Sequence, residues 1–222
     1  GRGAQGKGPR DAGPAEPIVV PDPVDTTGAP SGPQGDTWAS IKELPDLLGP
    51  WRSNDIVGRP NGPQMPLTAS GQAIVKKLAD IRAHGGDVEG RAKYCVTLGF
   101  PGGMTGPEEI HEFLYVPGRV IMTDVQGYAR MIYTDGRKHH IGPPTMWGDS
   151  IGHWEGQTLV VDTVGMQAGN EIEYGLPGGK NMHVVERIYL KPGNPDYMII
   201  DEVLDAPQAF SMPYKFSKIG RA

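Results

Sequence analysis

The spacing of apolar residues changes character along the chain. Over 68–83 (TASGQAIVKKLADIRA), Ile74, Val75, Leu78 and Ile81 recur at helical spacing. Thr68 stands at the N-cap position and Gly85-Gly86 follow, so the segment predicts a helix. A second helical pattern over 36–49 places Trp38, Ile41, Leu44 and Leu48 together with Asp36 as cap, but Pro45 kinks or splits it. Residues 50–67 read as loop. From residue 92 the period falls to two, and strands are expected at 93–98, 110–116, 118–125, 128–134, 151–155, 157–164, 182–190, 196–204 and 212–217. Pro117-Gly118, Gln126-Gly127, Asp135-Gly136, Glu155-Gly156 and Pro192-Gly193 supply the tight turns between them.

Short sequential strands joined by such turns make an antiparallel meander, which either stacks as a sandwich or closes as a barrel. Closure removes unpaired edges and leaves one interior for a ligand, so a mainly β, closed barrel with one or two short N-terminal helices is expected. The chain divides into a Pro/Gly-rich extended arm (1–35), a helical and loop extension (36–91) and the barrel (92–222). The arm carries little apolar content beyond Ile18, Val19 and Val20 and has no core of its own.

Composition narrows the partners. Across 222 residues, 21 Lys+Arg face 26 Asp+Glu, for a net charge of -5. That balance argues against nucleic acid as a partner, and no apolar run is long enough to span a bilayer. The single cysteine, Cys95, excludes an intrachain disulfide and reads as a buried, inert thiol. A chain starting at Gly1 suggests a removed signal peptide or a chosen start. No phosphate-binding loop or dinucleotide fingerprint is present.

DGRKHH (135–140), WGDSIGHWEGQTLVVDTVG (147–165) and MHVVERIYL (182–190) resemble a large, mostly uncharacterised bacterial family, often exported, with the pattern DGRxH…GxSxGxWEGDTLVVDTxGF…LHVVER. The likeness covers roughly 56–218. It implies a calycin/lipocalin-like barrel in a periplasmic or secreted protein, the cytoplasm being the alternative. This chain departs from the pattern at Gln157, at Gly165-Met166, at Pro177–Lys180 and at His111.

Alternation assigns candidate chemistry to faces. His111, Phe113 and Tyr115 share one face of their strand, as do Val120, Met122 and Asp124, and Tyr128, Arg130 and Ile132. Such a mix suits a wet, aromatic-lined interior. Asp124 and Arg130 are expected close together across a hairpin, as an ion pair. Of His139 and His140, only one can point inward. Trp147 and Trp154 are expected to pack together. Ser150, His153 and Asp149 do not make a convincing triad, because residues so close in sequence rarely converge. The six histidines show no HxH or HExxH spacing, so no cofactor is expected, a histidine-held metal being the minority reading. Methionines such as Met122, Met131 and Met198 suit a plastic apolar pocket.

These features predict a cofactor-independent acid-base enzyme, a lyase, dehydratase or isomerase, acting on a small apolar or aromatic compound in the barrel. His111, Asp124, Arg130 and His139 are the catalytic candidates. Tyr115, Tyr128, Tyr133, Trp154 and His183 are the substrate-binding ones. Two other classes are expected to compete: an exported carrier or sensor of a hydrophobic ligand, and an assembly protein forming a homo-oligomer through its arm.

Overall fold

The computed structural model describes residues 30–57, 65–86, 88, 98–104, 110–124, 127–140, 142–173 and 175–221. The arm's Ile18–Val20, all but the last residue of the strand expected at 93–98, and Cys95 lie outside them. Nine strands close into a barrel: β1 (Gly49–Val57), β2 (Ile110–Val116), β3 (Arg119–Asp124), β4 (Ala129–Tyr133), β5 (Asp149–Glu155), β6 (Thr158–Val164), β9 (His183–Leu190), β10 (Tyr197–Asp205) and β11 (Tyr214–Arg221). β7 (Glu171–Glu173) and β8 (Leu176–Pro177) form a separate two-stranded ribbon between β6 and β9. Around the barrel the order is β1-β11-β10-β9-β6-β5-β4-β3-β2.

Three local expectations change. First, the start of the segment read as loop supplies β1, which pairs with both β2 and β11 and closes the barrel. Its sequence, GPWRSNDIV, lacks clean alternation because the register shifts between Ser53 and Asp55. Second, the first helix is a single turn, α1 (Trp38–Ile41), capped by Thr37 rather than Asp36 and finished before Pro45. The second, α2 (Ala69–Ala83), keeps its expected Thr68 cap.

Third, the sheet is not a pure meander. β4 and β5 run parallel, paired only through Ile132↔Ser150 and Tyr133↔Ile151. Asp135-Gly136 does turn the chain, with Gly136 at φ +77. The segment 134–148 then carries it round to re-enter in the same direction, as parallel neighbours require. The remainder of β5's edge is answered by residues at the end of the arm. Ser31 N donates to Trp154 O at 3.1 Å, and Gly156 N donates to Ser31 O at 3.1 Å. The Gln34 amide mimics a strand: its Nε2 donates to Trp154 O at 3.0 Å and its Oε1 accepts from Trp154 N at 2.8 Å.

The inward face carries Phe113, Met122, Ile132, Trp154, Leu159, Ile188 and Leu204, all buried. In their midst lies Arg130, also buried. All five of its N–H groups are answered. Nε donates to Ser150 Oγ at 3.1 Å. Nη1 donates to Glu186 Oε1 at 3.1 Å and approaches Met122 Sδ at 3.9 Å. Nη2 donates to Glu186 Oε2 at 2.5 Å and Thr163 Oγ1 at 2.8 Å. The Phe100 ring lies 3.9 Å from the guanidinium carbon. One side chain thus ties β4, β5, β6 and β9 together.

Removing one member of a buried pair leaves an uncompensated charge, typically costing ~3–5 kcal/mol, whereas replacing both is often close to neutral. Arg130→Met is therefore expected to lower stability by about that amount, and Arg130→Met with Glu186→Leu to recover most of it. Urea unfolding of the two variants checks this; equal losses would remove Arg130 from its place as the hub.

Candidate functional site

Strand parity separates the expected site residues into two groups. Ser150 and Thr163 face inward to Arg130, so their neighbours Asp149 and Asp162 face outward. The 134–148 crossover lays His139 over this outer wall. There a chain of carboxylates and imidazoles forms. His139 Nδ1 donates to Asp149 Oδ2 at 2.8 Å, and the backbone N of His140 donates to the same oxygen at 2.9 Å. His139 Nε2 lies 3.5 Å from Asp162 Oδ1. His183 Nε2, from β9, donates to that same Asp162 oxygen at 2.6 Å.

The electrostatics follow from this geometry. Burial would lower the His139 pKa, but the Asp162 and Asp149 carboxylates outweigh it and hold it above its ordinary 6.5. Burial would raise that of Asp162, but the His139 and His183 imidazoles beside it outweigh this and hold it at about 2. Asp149 accepts at Nδ1, so neutral His139 carries its proton there and presents an unprotonated Nε2 toward Asp162.

Asp162 also forms part of the wall of a cleft of about 230 Å³, with Pro30, Arg137, Ile151, His153 and Val160. This lies below the ~300–1,000 Å³ usual for drug-sized ligands, so the cleft suits a small molecule. Gly152 belongs to the same wall. A Cβ there would come within 2.9 Å of Ile132 Cγ2, so the inner side of the wall is already packed tight. His153 is held by Glu155 at 3.0 Å, and Glu155 by Arg187 at 2.8 Å.

The other candidates are placed differently. Arg130 does not take Asp124 as its ion-pair partner: its partner is Glu186, and Met122 is its register neighbour. Asp124 stands opposite His111 and accepts from Tyr128 N at 2.9 Å, closing the β3–β4 turn. Tyr115 and Trp154 meet edge to face at 5.9 Å in the core. The Tyr115 hydroxyl donates to Pro45 O at 2.7 Å and accepts from Leu47 N at 3.3 Å, pinning the segment before β1. Trp147 packs on Tyr128 at 5.9 Å rather than on Trp154. Tyr133 lies on the outer wall under Arg137, 3.7 Å from ring centroid to guanidinium carbon. Neither His139 nor His140 enters the barrel. His111 does, and its Nε2 is buried without a partner. Burial, then the charge of Lys218, lowers its pKa to about 4.

Asp162, Glu186, Glu202 and Lys218 were not expected from the sequence. Each acidic one sits in an apolar strand, in TLVVDTV, HVVERIYL and YMIIDEVLD. A carboxylate beside a valine in an otherwise apolar strand is the signal that was present. Among the described residues, no three His, Cys, Asp or Glu side chains are arranged to hold a metal ion. No family model matches the chain, and no curated protein matches it either.

A pKa held above its unfolded value stabilises the fold below that unfolded value, and the contribution is lost as pH rises through the folded one. For a depressed carboxylate the contribution is present above the unfolded value and lost as pH falls. The His139 and Asp162 contributions therefore coincide between about pH 4 and 6.5. Asp162→Asn is expected to destabilise most in that window and to lower the His139 pKa. Denaturation at pH 3, 5 and 8, with an NMR titration of His139, tests both; an unmoved His139 would break the proposed coupling.

Proposed function

We propose that the protein is a cofactor-independent acid-base enzyme, a lyase, dehydratase or isomerase, acting on a small, largely apolar or aromatic compound held in the cleft on the barrel wall. One observation carries the reading: Asp162 is at once a wall of the cleft and the shared partner of two imidazoles. The substrate proton is taken at Asp162 and passed to His139 Nε2, whose affinity for a proton is greater. Asp149 fixes the tautomer that makes Nε2 the receiving atom. His183 holds the Asp162 carboxylate in place. Ile151, Val160 and Pro30 contact the apolar part of the substrate. Arg130 is consumed by Glu186, and the cation in the cleft lining is Arg137, whose Nη2 also donates to Asp135 at 2.6 Å. The resemblance to an exported family of calycin-like barrels supports a periplasmic or secreted location.

Proton removal from carbon exchanges hydrogen for deuterium in heavy water. The enzyme is expected to exchange or convert members of a panel of small aryl ketones and hydroxy compounds, followed by proton NMR. His139→Gln and Asp162→Asn are each expected to lower the rate at least about 100-fold, with near-ultraviolet circular dichroism at pH 8 showing both variants folded. The wild-type rate should fall below the His139 pKa, where the receiving nitrogen is already protonated. Undiminished rates in both variants, or no turnover of any panel member, would refute the assignment.

A further inference from the structure

The cleft contains a second imidazole, which the proton path through Asp162 and His139 does not use. In the β5–β6 register Ile151 stands opposite Asp162, and His153 stands opposite Val160. All four line the cleft. They make a square on the outer wall, with Ile151 and Val160 on one diagonal and His153 and Asp162 on the other. Diagonal neighbours on one face of a sheet stand about 7–8 Å apart. His153 is oriented from behind. Glu155 Oε1 accepts from its Nε2 at 3.0 Å, and Arg187 Nη2 donates to Glu155 Oε2 at 2.8 Å, so both carboxylate oxygens are engaged. A carboxylate behind an imidazole fixes its orientation for proton transfer. His153 Nδ1 has no hydrogen-bond partner among the described residues and is left to the cleft.

The two groups of that diagonal differ in what they can do. The imidazoles beside Asp162 keep it ionised against its burial, so it takes a proton. The imidazole across the square is then the group able to give one near neutral pH. A C–H and a C–OH on neighbouring carbons bridge such a gap, with a contact of hydrogen-bond length, about 2.6–3.2 Å, at each end. A carboxylate removes only an acidified C–H, so the hydrogen lies next to a carbonyl group. Resting on the reading of Asp162 as the base, we propose that His153 is the catalytic acid of a dehydration whose substrate is a small β-hydroxy ketone. Asp162 takes the proton beside the carbonyl, and the C–H electron pair becomes the C=C bond. The C–O bond breaks, and its oxygen leaves as water with the proton from His153 Nδ1. No oxidant or reductant takes part. Solvent returns a proton to His153 and takes one from His139. Ile151 and Val160, on the other diagonal, receive the apolar part of the substrate.

The test uses the full chain and three probes. 4-Hydroxy-4-phenyl-2-butanone loses water to give 4-phenyl-3-buten-2-one, followed by absorbance. Its 4-fluoro analogue expels fluoride, which departs without a proton. 4-Phenyl-2-butanone has no leaving group, so exchange of the hydrogens beside its carbonyl in heavy water reports Asp162 alone. His153→Gln, with folding checked by near-ultraviolet circular dichroism, is expected to slow dehydration of the hydroxy ketone at least about 100-fold. It should retain most of the rate of fluoride loss and of exchange, whereas Asp162→Asn should lose all three. An undiminished dehydration rate in His153→Gln, or equal losses on the hydroxyl and fluoride probes, would overturn His153 as the acid and leave Asp162 as the base. Wild-type exchange without dehydration would overturn the dehydration alone. Absence of exchange as well would overturn both this assignment and the reading of Asp162 on which it rests.

Discussion

The Arg130–Glu186 pair is the interaction on which the remaining geometry rests. A guanidinium removed from water must have every donor answered, and here the oxygen partners come from three other strands, β5, β6 and β9. Ser150 and Thr163 must point inward to provide two of them. Parity then sends Asp149 and Asp162 outward, because side chains alternate along the unbulged β5 and β6. A one-residue slip of β5 or β6 would strand the guanidinium and bury that strand's carboxylate, Asp149 or Asp162. The outer carboxylate–imidazole chain is thus fixed in register by an ion pair on the opposite side of the same wall.

The second constraint is the parallel junction of β4 and β5. A tight hairpin at Asp135-Gly136 would have returned the chain at once, without a segment long enough to cover the wall. The crossover instead brings His139 against Asp149 and Asp162. Its cost is a seam with only two paired positions. Ser31 and Gln34 close the part of β5 that β4 leaves open, and Pro30 just before them contributes to the cleft. The strap that seals the barrel and the rim of the proposed site are therefore the same short stretch of chain.

How far the sequence carried this architecture depended on the range of the interactions involved. The α2 cap and the strands around Gly118, Gly156 and Gly193 follow from local chemistry, and alternation and turn residues located them. β1 did not announce itself, since a bulge near Asn54 spoils its period and its pairing lies with strands far away in sequence. The same holds for the site. Alternation put His111 on one face with Phe113 and Arg130 on one face with Ile132, yet nothing local named Glu186 as the Arg130 partner, because the pairing depends on β9 lying three strands round the barrel from β4. Likewise His139 and His183 were candidates as isolated histidines. Their convergence on Asp162 required knowing that the turn at Asp135-Gly136 leads into a crossover rather than a hairpin.

The two polar clusters of the barrel differ in one physical respect that bears on what each is for. Around Arg130 every donor is met, so the group gains nothing from a further partner and serves the scaffold. At Glu202 and His111 the buried atoms are left with capacity, in a fold where stability would favour filling it. On the wall the contrast repeats in milder form: Glu155 and Arg187 answer one another, while His139 Nε2 faces Asp162 without completing a hydrogen bond. Incomplete satisfaction, rather than the mere presence of histidine or arginine, distinguishes the side chains positioned for chemistry from those that hold the barrel together.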